Sequence, residues 1–326
     1  MKATVTPVTR PKVSVVVSTY NRAYALPNAI DSLLRQDFDP ERFEIVIVDN
    51  NSTDGTCEVV EAIQRRAPQL QYVFEPHRGA SYGRNAGILA ARALTIAFTD
   101  DDIRVSTNWL STIVAALAQH PEVACVGGRV LPTWAGTWPA WLTREHWAPL
   151  ALLDYGEAPI YVTAQRRLCL ITANVAYRRE VFDRIGMFSP HVQTLGRAVG
   201  TEDHELLLRL WRAGGQGLYW PALLATADID PERMRPAYHR RWHLRHGRSL
   251  ALMHDDEIEQ TNVGRFLGVP AHIYRAAITA FVEWIRALFR RDAGTAFRHE
   301  FGLWSCLGFI RARWPDFVRG SVRREP

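Results

Sequence analysis

Apolar residues in the first hundred positions follow two rhythms. Val13–Ser18 and Phe43–Val48 are nearly unbroken β-branched runs, the mark of strands buried on both faces. Between them, Tyr24–Asp37 sets Leu26, Ile30, Leu33 and Leu34 at helical spacing. The pattern then repeats: a helix over Thr56–Arg66, a strand over Gln71–Glu75, a helix over Tyr82–Ala93 and a strand over Leu94–Phe98. A helix at Trp109–Gln119, a strand at Val123–Val130 and a helix at Glu202–Ala213 continue it. Buried strands alternating with helices predict an α/β fold with a doubly wound, mostly parallel sheet. Leu131–Trp147, rich in Trp and Pro, breaks both rhythms and predicts an irregular flap. Farther on, Arg265–Arg290 is amphipathic. Ile273, Ala277, Phe281, Trp284 and Leu288 share one face, and Arg275, Thr279, Arg286 and Arg290 share the other.

Ligands of doubly wound sheets sit at the carboxyl ends of the strands. Ser18–Arg22, Asp49, Glu75–Gly79 and Asp100–Asp102 all fall there. The last group is the most informative. Three carboxylates after a buried strand put hard oxygen ligands at a sheet edge, which suits Mg²⁺ or Mn²⁺ and through it a phosphate. An extended or turning backbone would direct Asp100 and Asp102 to one side and Asp101 to the other. An isolated Asp triplet reads equally as a solvated turn capping the next helix.

Composition narrows the class. At 326 residues, 47% hydrophobic and 22% charged, the chain is an ordinary globular enzyme in make-up. The polar, Thr- and Pro-rich start predicts no signal peptide, and no run of 18 apolar residues predicts a membrane span. Cys57, Cys125, Cys169 and Cys306 show neither CxxC nor zinc spacing, as expected of reduced cytosolic thiols. Charge is uneven. From Pro231 onward there are 17 Arg against 10 acidic residues, a net +7 where the whole chain carries +5. A near-neutral body with a basic tail predicts that the tail meets an anionic surface.

Together the motifs resemble the family 2 glycosyltransferases of the GT-A fold. The segments are Val13–Arg22, Ile47–Thr56 (IVDNNSTDGT), Arg84–Gly87 (RNAG), Phe98–Asp102 (FTDDD), Ala173–Glu180 with Gly186–Phe188, and Thr201–Arg209 (TEDHELLLR). The resemblance spans roughly residues 12–250. It implies a Rossmann-like nucleotide half over 12–105, an acceptor half over 106–250, and a basic helical extension over 251–326. The implied reaction is inverting, metal-dependent sugar transfer from a nucleotide-diphospho-sugar, expected to be a UDP-sugar. The acceptor hydroxyl would belong to a glycan or a lipid-linked carrier in bacterial surface glycan assembly.

By that resemblance Thr19, Asn21 and Arg22 line the nucleotide site. Asp49 accepts from the base, with a turn or N-cap role as its plainer reading. Arg84 meets the pyrophosphate, with a surface ion pair as the alternative. Asp100 and Asp102 form the DxD pair, Asp102 as metal ligand and Asp100 as ribose, sugar or metal contact; Asp101 holds the variable position among the nucleotide-site residues. Asp203 is the implied general base and Glu202 its second, although helix N-termini favour carboxylates on structural grounds alone. The cofactor would be Mn²⁺ or Mg²⁺.

Two departures stand out. Many relatives place a His shortly after a segment like Tyr219-Trp-Pro221; this chain has Asp228, which reads as a replacement oxygen ligand or as a surface residue. The run His239–His243 resembles an Arg-rich segment that contacts donor phosphates in some relatives, or is a solvated helix face. A NAD-binding Rossmann enzyme is disfavoured, because the first strand–helix turn, Val17–Arg22, has no glycine. A non-catalytic nucleotide-sugar-binding scaffold is the remaining alternative. The Trp134, Trp138 and Trp141 group reads as an acceptor wall or a second small core. The C-terminal segment Arg265–Arg319, with Phe297, Phe301, Trp304 and Phe309, reads as a peripheral anchor on the inner, anionic membrane face or as a packed helical pair. A cytoplasmic location is expected, no nucleic-acid partner is expected, and a homodimer is left open.

Overall fold

The computed structural model describes residues 10–134, 136–190, 201–260 and 263–318. Arg319 and the rest of the basic tail lie outside the described residues. The chain divides into two compact units. The first comprises 1–133, 153–188 and 206–228; the second comprises 134–152, 189–205 and 229–326.

The first unit is a mixed sheet with flanking helices. Strands β1 (Val13–Thr19), β2 (Phe43–Asp49), β3 (Leu70–Phe74) and β4 (Thr95–Asp100) form its parallel half, in the order β3-β2-β1-β4. Helices α1 (Leu26–Leu34), α2 (Thr56–Gln64) and α3 (Ala80–Ala90) make the crossovers. All of Val13–Val17 and Ile45–Val48 is buried, as expected of central strands. Helix α3 packs directly on β1. A Cβ at Gly83 would collide with the Ser18 hydroxyl, and one at Gly87 with Val16. The glycine of the RNAG motif is therefore a packing requirement.

After β4 the chain turns at Asp101-Asp102 and continues as the short β5 (Ile103–Val105), α4 (Trp109–Gln119) and β6 (Cys125–Thr133). Next come β7 (Ile160–Val162), β8 (Val175–Arg178), α5 (Glu180–Ile185), α6 (Glu202–Arg212) and β9 (Gly217–Asp228). Strand β8 runs antiparallel between β4 and β6, and β9 lies parallel to β6 and antiparallel to β5 and β7. Asn174, buried ahead of β8, ties this half together. Its amide donates to the Arg129 and Leu223 carbonyls, and its oxygen accepts from the Trp109 indole.

The second unit is helical. Helices α7 (Pro236–Met253), α8 (Ala271–Phe289) and α9 (Ala293–Val318) pack pairwise, α9 against both others. Where α7 crosses α9 the backbones touch: a Cβ at Gly247 would strike the Ser305 carbonyl, and one at Gly308 the Leu244 carbonyl. The expected boundary at 250/251 thus falls inside α7. The expected helix over Arg265–Arg290 begins only at Ala271. A two-stranded hairpin, β10 (Arg265–Phe266) with β11 (Val269–Pro270), precedes it because Gly264, Gly268 and Pro270 interrupt the helical pattern.

Of the expected flap Leu131–Trp147, Leu131–Thr133 complete β6, the described residues beyond are irregular apart from a short 3₁₀ turn, and Trp141 belongs to a core. It is buried against His146, His239, Phe297 and Phe301, with ring centroids 4.9–5.9 Å apart. His239 and His243 stack on Phe301, so the histidines of the run face the interior, while Arg241 is exposed. Arg240 pairs with Glu300 at 2.5 Å. Phe301 and Phe309 are interior as well, which removes them from any membrane-facing surface.

Candidate functional site

Register sets the site. Thr19 lies opposite Asp49, Ser18 opposite Asp100, and Asp49 opposite Phe74. The carboxyl ends of four parallel strands therefore finish level, and their loops hold one another.

The β1 loop is fastened to the β2 loop. Asn21 takes a left-handed conformation with φ 51°, which Asn tolerates better than most residues. Its backbone N–H donates to Ser52 Oγ at 2.9 Å, and its side-chain oxygen accepts from the Thr53 N–H at 2.7 Å. The β2 loop is fastened to the loop after β3. Asn50 donates to the His77 carbonyl and accepts from the Gly79 N–H, both at 2.6 Å, and Asn51 donates to the Pro76 carbonyl. Asp49 is buried. One of its carboxylate oxygens accepts from the Ser52 N–H at 2.8 Å and the other from the Tyr72 hydroxyl at 2.9 Å. Burial, then the hydrogen bonds with Cys57 and Asp49, push the Tyr72 hydroxyl well above its ordinary pKa.

The β4 turn is held from β1. Arg22 Nη1 donates to Asp101 Oδ1 and to Asp102 Oδ2, each at 2.8 Å, and Thr19 Oγ1 donates to Asp101 Oδ2 at 2.7 Å. Asp101 and Asp102 thus share one guanidinium. The turn cancels the alternation that would have directed Asp101 away from its neighbour. Asp101, only 4% exposed, faces inward. Burial raises its pKa to about 6, against the opposing pull of Arg22 and Thr19 and with help from Asp102 and Asp100. Burial works against the Arg22 charge, but the two carboxylates outweigh it and raise its pKa. The Asp100 and Asp102 carboxylates stay open to solvent, 31% and 25% exposed. Arg84, mostly buried, stands 3.5 Å from Asp100 and has its guanidinium 5.7 Å from the Phe188 ring centroid. Beside it Asn85 pins Phe188, donating to its carbonyl at 2.8 Å and accepting from its N–H at 3.0 Å. The RNAG and Gly-Met-Phe segments are therefore halves of one joint.

Asp100 and Asp102 suit a hard divalent cation. Mg²⁺ and Mn²⁺ are commonly held by one or two carboxylates, with substrate phosphates and waters completing the shell. Among the described residues no group of three or more His, Cys, Asp or Glu side chains is arranged to hold an ion. Asp228 ends β9 one residue beyond the Ile103–Ala227 pair and forms an ion pair with Arg104.

In the other unit, Glu202 and Asp203 are both buried at the start of α6, with the Thr201 N–H donating to Glu202 Oε2 at 3.1 Å. Leu206, Leu207 and Leu210, farther along the same helix and counted in the first unit, are fully buried. His204 contacts Asp255 at 3.3 Å. The sequence reading passed over Asn50, Tyr72, Asn85 and Asn174. Asn50, Asn85 and Asn174 lie inside the motif segments, but no periodicity gives them a role, and Tyr72 lies in no motif.

The profile for Glycosyl transferase family 2 matches residues 14–186, more than half of the chain, and the chain belongs to that family. It is 26% identical over 213 residues to the glucosyl-dolichyl phosphate glucuronosyltransferase of Haloferax volcanii, a match covering 63% of this chain and 65% of that protein. It is 35% identical over 106 residues to the GalNAc(5)-diNAcBac-PP-undecaprenol beta-1,3-glucosyltransferase of Campylobacter jejuni, covering 32% and 34%. The chain thus spans less than two thirds of these curated relatives. The fold matches that of the mannosyltransferase PcManGT of Pyrobaculum calidifontis, solved with GDP-Man and Mn²⁺ (TM-score 0.59, 20% identity, 97% of this chain and 89% of that one). It also matches S. aureus TarS 1-349, solved with UDP (TM-score 0.54, 18% identity, 96% and 93%). The fold is α/β of the GT-A type with C-terminal helices.

Proposed function

We propose that the chain is an inverting glycosyltransferase that moves a sugar from a UDP-sugar to an acceptor hydroxyl. The observation that carries this is the laced edge of the parallel sheet, where Thr19, Asn21, Arg22, Asp49, Arg84 and Asp100–Asp102 converge. In this reading residues 12–105 bind the nucleotide-sugar and 106–250 serve the acceptor. Asp49, already fixed by Ser52 and Tyr72, has lone pairs left to accept the uracil N3–H. Arg84 meets the diphosphate, for which a guanidinium is well shaped. Asp102 and Asp100 would hold Mn²⁺ or Mg²⁺, with Asp228 as a further oxygen donor. That ion, when bound, supplies positive charge against the charge developing on the diphosphate leaving group.

Asp203 takes the proton of the acceptor hydroxyl, with Glu202 beside it. The acceptor oxygen forms its bond to the anomeric carbon as the bond to the diphosphate oxygen breaks, and the nucleoside diphosphate leaves with that electron pair. A single displacement inverts the anomeric centre. A lipid-linked glycan acceptor, as in bacterial surface glycan assembly, is supported by the names of the relatives, two of which act on dolichyl- or undecaprenol-linked substrates. We place the reaction in the cytoplasm at the inner face of the plasma membrane. A homodimer, testable by sedimentation velocity, is compatible with this placement.

A thermal-shift screen of UDP-, GDP- and dTDP-sugars with and without Mn²⁺ tests the donor, since a ligand that binds only the folded state raises its melting temperature. Mn²⁺-dependent stabilisation by UDP-sugars, followed by UDP release in the presence of an acceptor, is expected. Stabilisation by GDP- or dTDP-sugars alone would reassign the nucleotide, and no response to any of them would remove the transferase reading.

A further inference from the structure

Helix α8 carries two apolar faces, and only one of them is packed. Ile273, Ala277, Trp284 and Ala287 lie on the side in contact with the rest of the helical unit. Ile278, Phe281, Val282, Leu288 and Phe289 form a second row, at intervals of one and three turns. They are exposed by 38–85%, Phe289 the most, and half-buried Ile285 falls in line with them. The single stripe read from sequence is thus split. Its Ile273, Ala277 and Trp284 are spent on packing, and its Phe281 and Leu288 join the outer row.

The row has a basic border. Arg275, Arg290 and Arg291 are exposed and make no ion pair among the described residues, whereas Arg286 is paired with Glu283. We infer that this outer face of α8 lies in the interfacial layer of an anionic bilayer, its apolar row among the acyl chains and its arginines against lipid phosphates. Charge selects that occupant. A second copy docked about a two-fold axis would also cover the row, but it would bring the same unpaired arginines together with no opposite charge to meet them, since Glu283, the one acid of the helix, is already paired with Arg286. An anionic lipid surface covers the row and neutralises its border in one step. No helix among the described residues is long and apolar enough to cross a membrane, so α8 would lie in the plane of the surface. The inference takes its purpose from the lipid-linked-acceptor reading, but its test does not depend on that reading.

The test is co-sedimentation of the full chain with phosphatidylglycerol or phosphatidylcholine vesicles at low and high salt. Three proteins are compared: wild type, F281S/F289S and R275Q/R290Q/R291Q. All substituted positions are exposed, and melting temperatures check that each variant is folded. Wild type should sediment with the anionic vesicles only and be released by salt. The arginine variant should bind on the order of 100-fold more weakly, at about fivefold per basic residue. The phenylalanine variant should lose about tenfold or more. The inference is overturned if wild type ignores anionic vesicles at low salt, or if both variants bind like wild type. It is equally overturned if F281S/F289S dissolves a wild-type dimer without altering vesicle binding. Donor-stabilised melting is followed in parallel: vesicle binding lost with the donor response intact separates this inference from the transferase reading.

Discussion

At the sheet edge Asp101 is buried as a charge, held by the Arg22 guanidinium and the Thr19 hydroxyl. In the helical unit His239 is buried and His243 and His246 are half-buried, all three as neutral bases, stacked on Phe301 or Trp242 and titrating near 4, 3 and 4. One region pairs its ionisable groups and the other discharges them. The difference follows from what each is built to meet. A site for a phosphorylated sugar needs fixed charge and pays for it with arginines. A helical core needs volume, and an uncharged imidazole fills it much as an aromatic ring does. On the proposed function, perturbed side chains in the first region should bear on binding, and those in the second on stability.

The sharpest test of that division is the one polar pair of the second unit to which chemistry is assigned. Asp203→Asn should lower turnover about 10²–10⁴-fold, the usual worth of a positioned base, with donor affinity unchanged. Steady-state rates alongside calorimetric UDP binding check it; a variant that fails by losing donor puts Asp203 on the other side of the comparison. Next in size, Trp141→Ala should cost about 3–5 kcal/mol of folding stability, as for other large aromatic truncations, while the acceptor KM holds. A melting curve and acceptor kinetics on the same variant decide. A raised KM in a protein of normal stability would return Trp141 to the acceptor wall.

At the sheet edge, Asp102→Asn should weaken Mn²⁺-dependent UDP binding at least about tenfold, the loss that even a supporting group causes. Its melting temperature without ligand should stay near wild type. Unchanged calorimetric affinity would remove Asp102 from the metal.

The mildest effect is that of pH. His239 and His243 titrate near 4 and 3 in the folded protein, against an ordinary 6.5, because burial disfavours their charged forms. The unfolded chain therefore binds more protons as pH drops below about 6.5. The stability they permit is complete above that value and drains away as pH falls toward 4. Thermal unfolding between pH 7 and 4 measures this, and His239→Phe should flatten the slope. A slope unaffected by that change would mean that other groups set the acid limb.

The parallel half of the sheet was legible because its strands are buried on both faces and so are written as continuous β-branched runs. Strand β8 is four residues long and β9 carries Pro221 in mid-strand, so neither shows a strand pattern of its own in the sequence. Helix α7, dense in His and Arg, has no apolar stripe because its buried positions are His239, Gly247, Ser249 and Ala251, none of them a large hydrophobic residue. At the site, the motif residues were legible as types. Asp101 was expected to point away from Asp102 in an extended or turning backbone, but the tight turn they form brings both carboxylates to Arg22, and side-chain alternation holds only while the backbone stays extended.

The bare crossing of α7 and α9 has an evolutionary consequence. At Gly247 and Gly308 backbone meets backbone, so any first mutational step at either position inserts a wedge that no single compensating change can remove. Neighbouring exposed residues such as Arg241 and Arg311 are free to drift. Sequences descended from this one should therefore keep the two glycines fixed together while the helix surfaces around them diverge, and loss of one should go with loss of the helical pair.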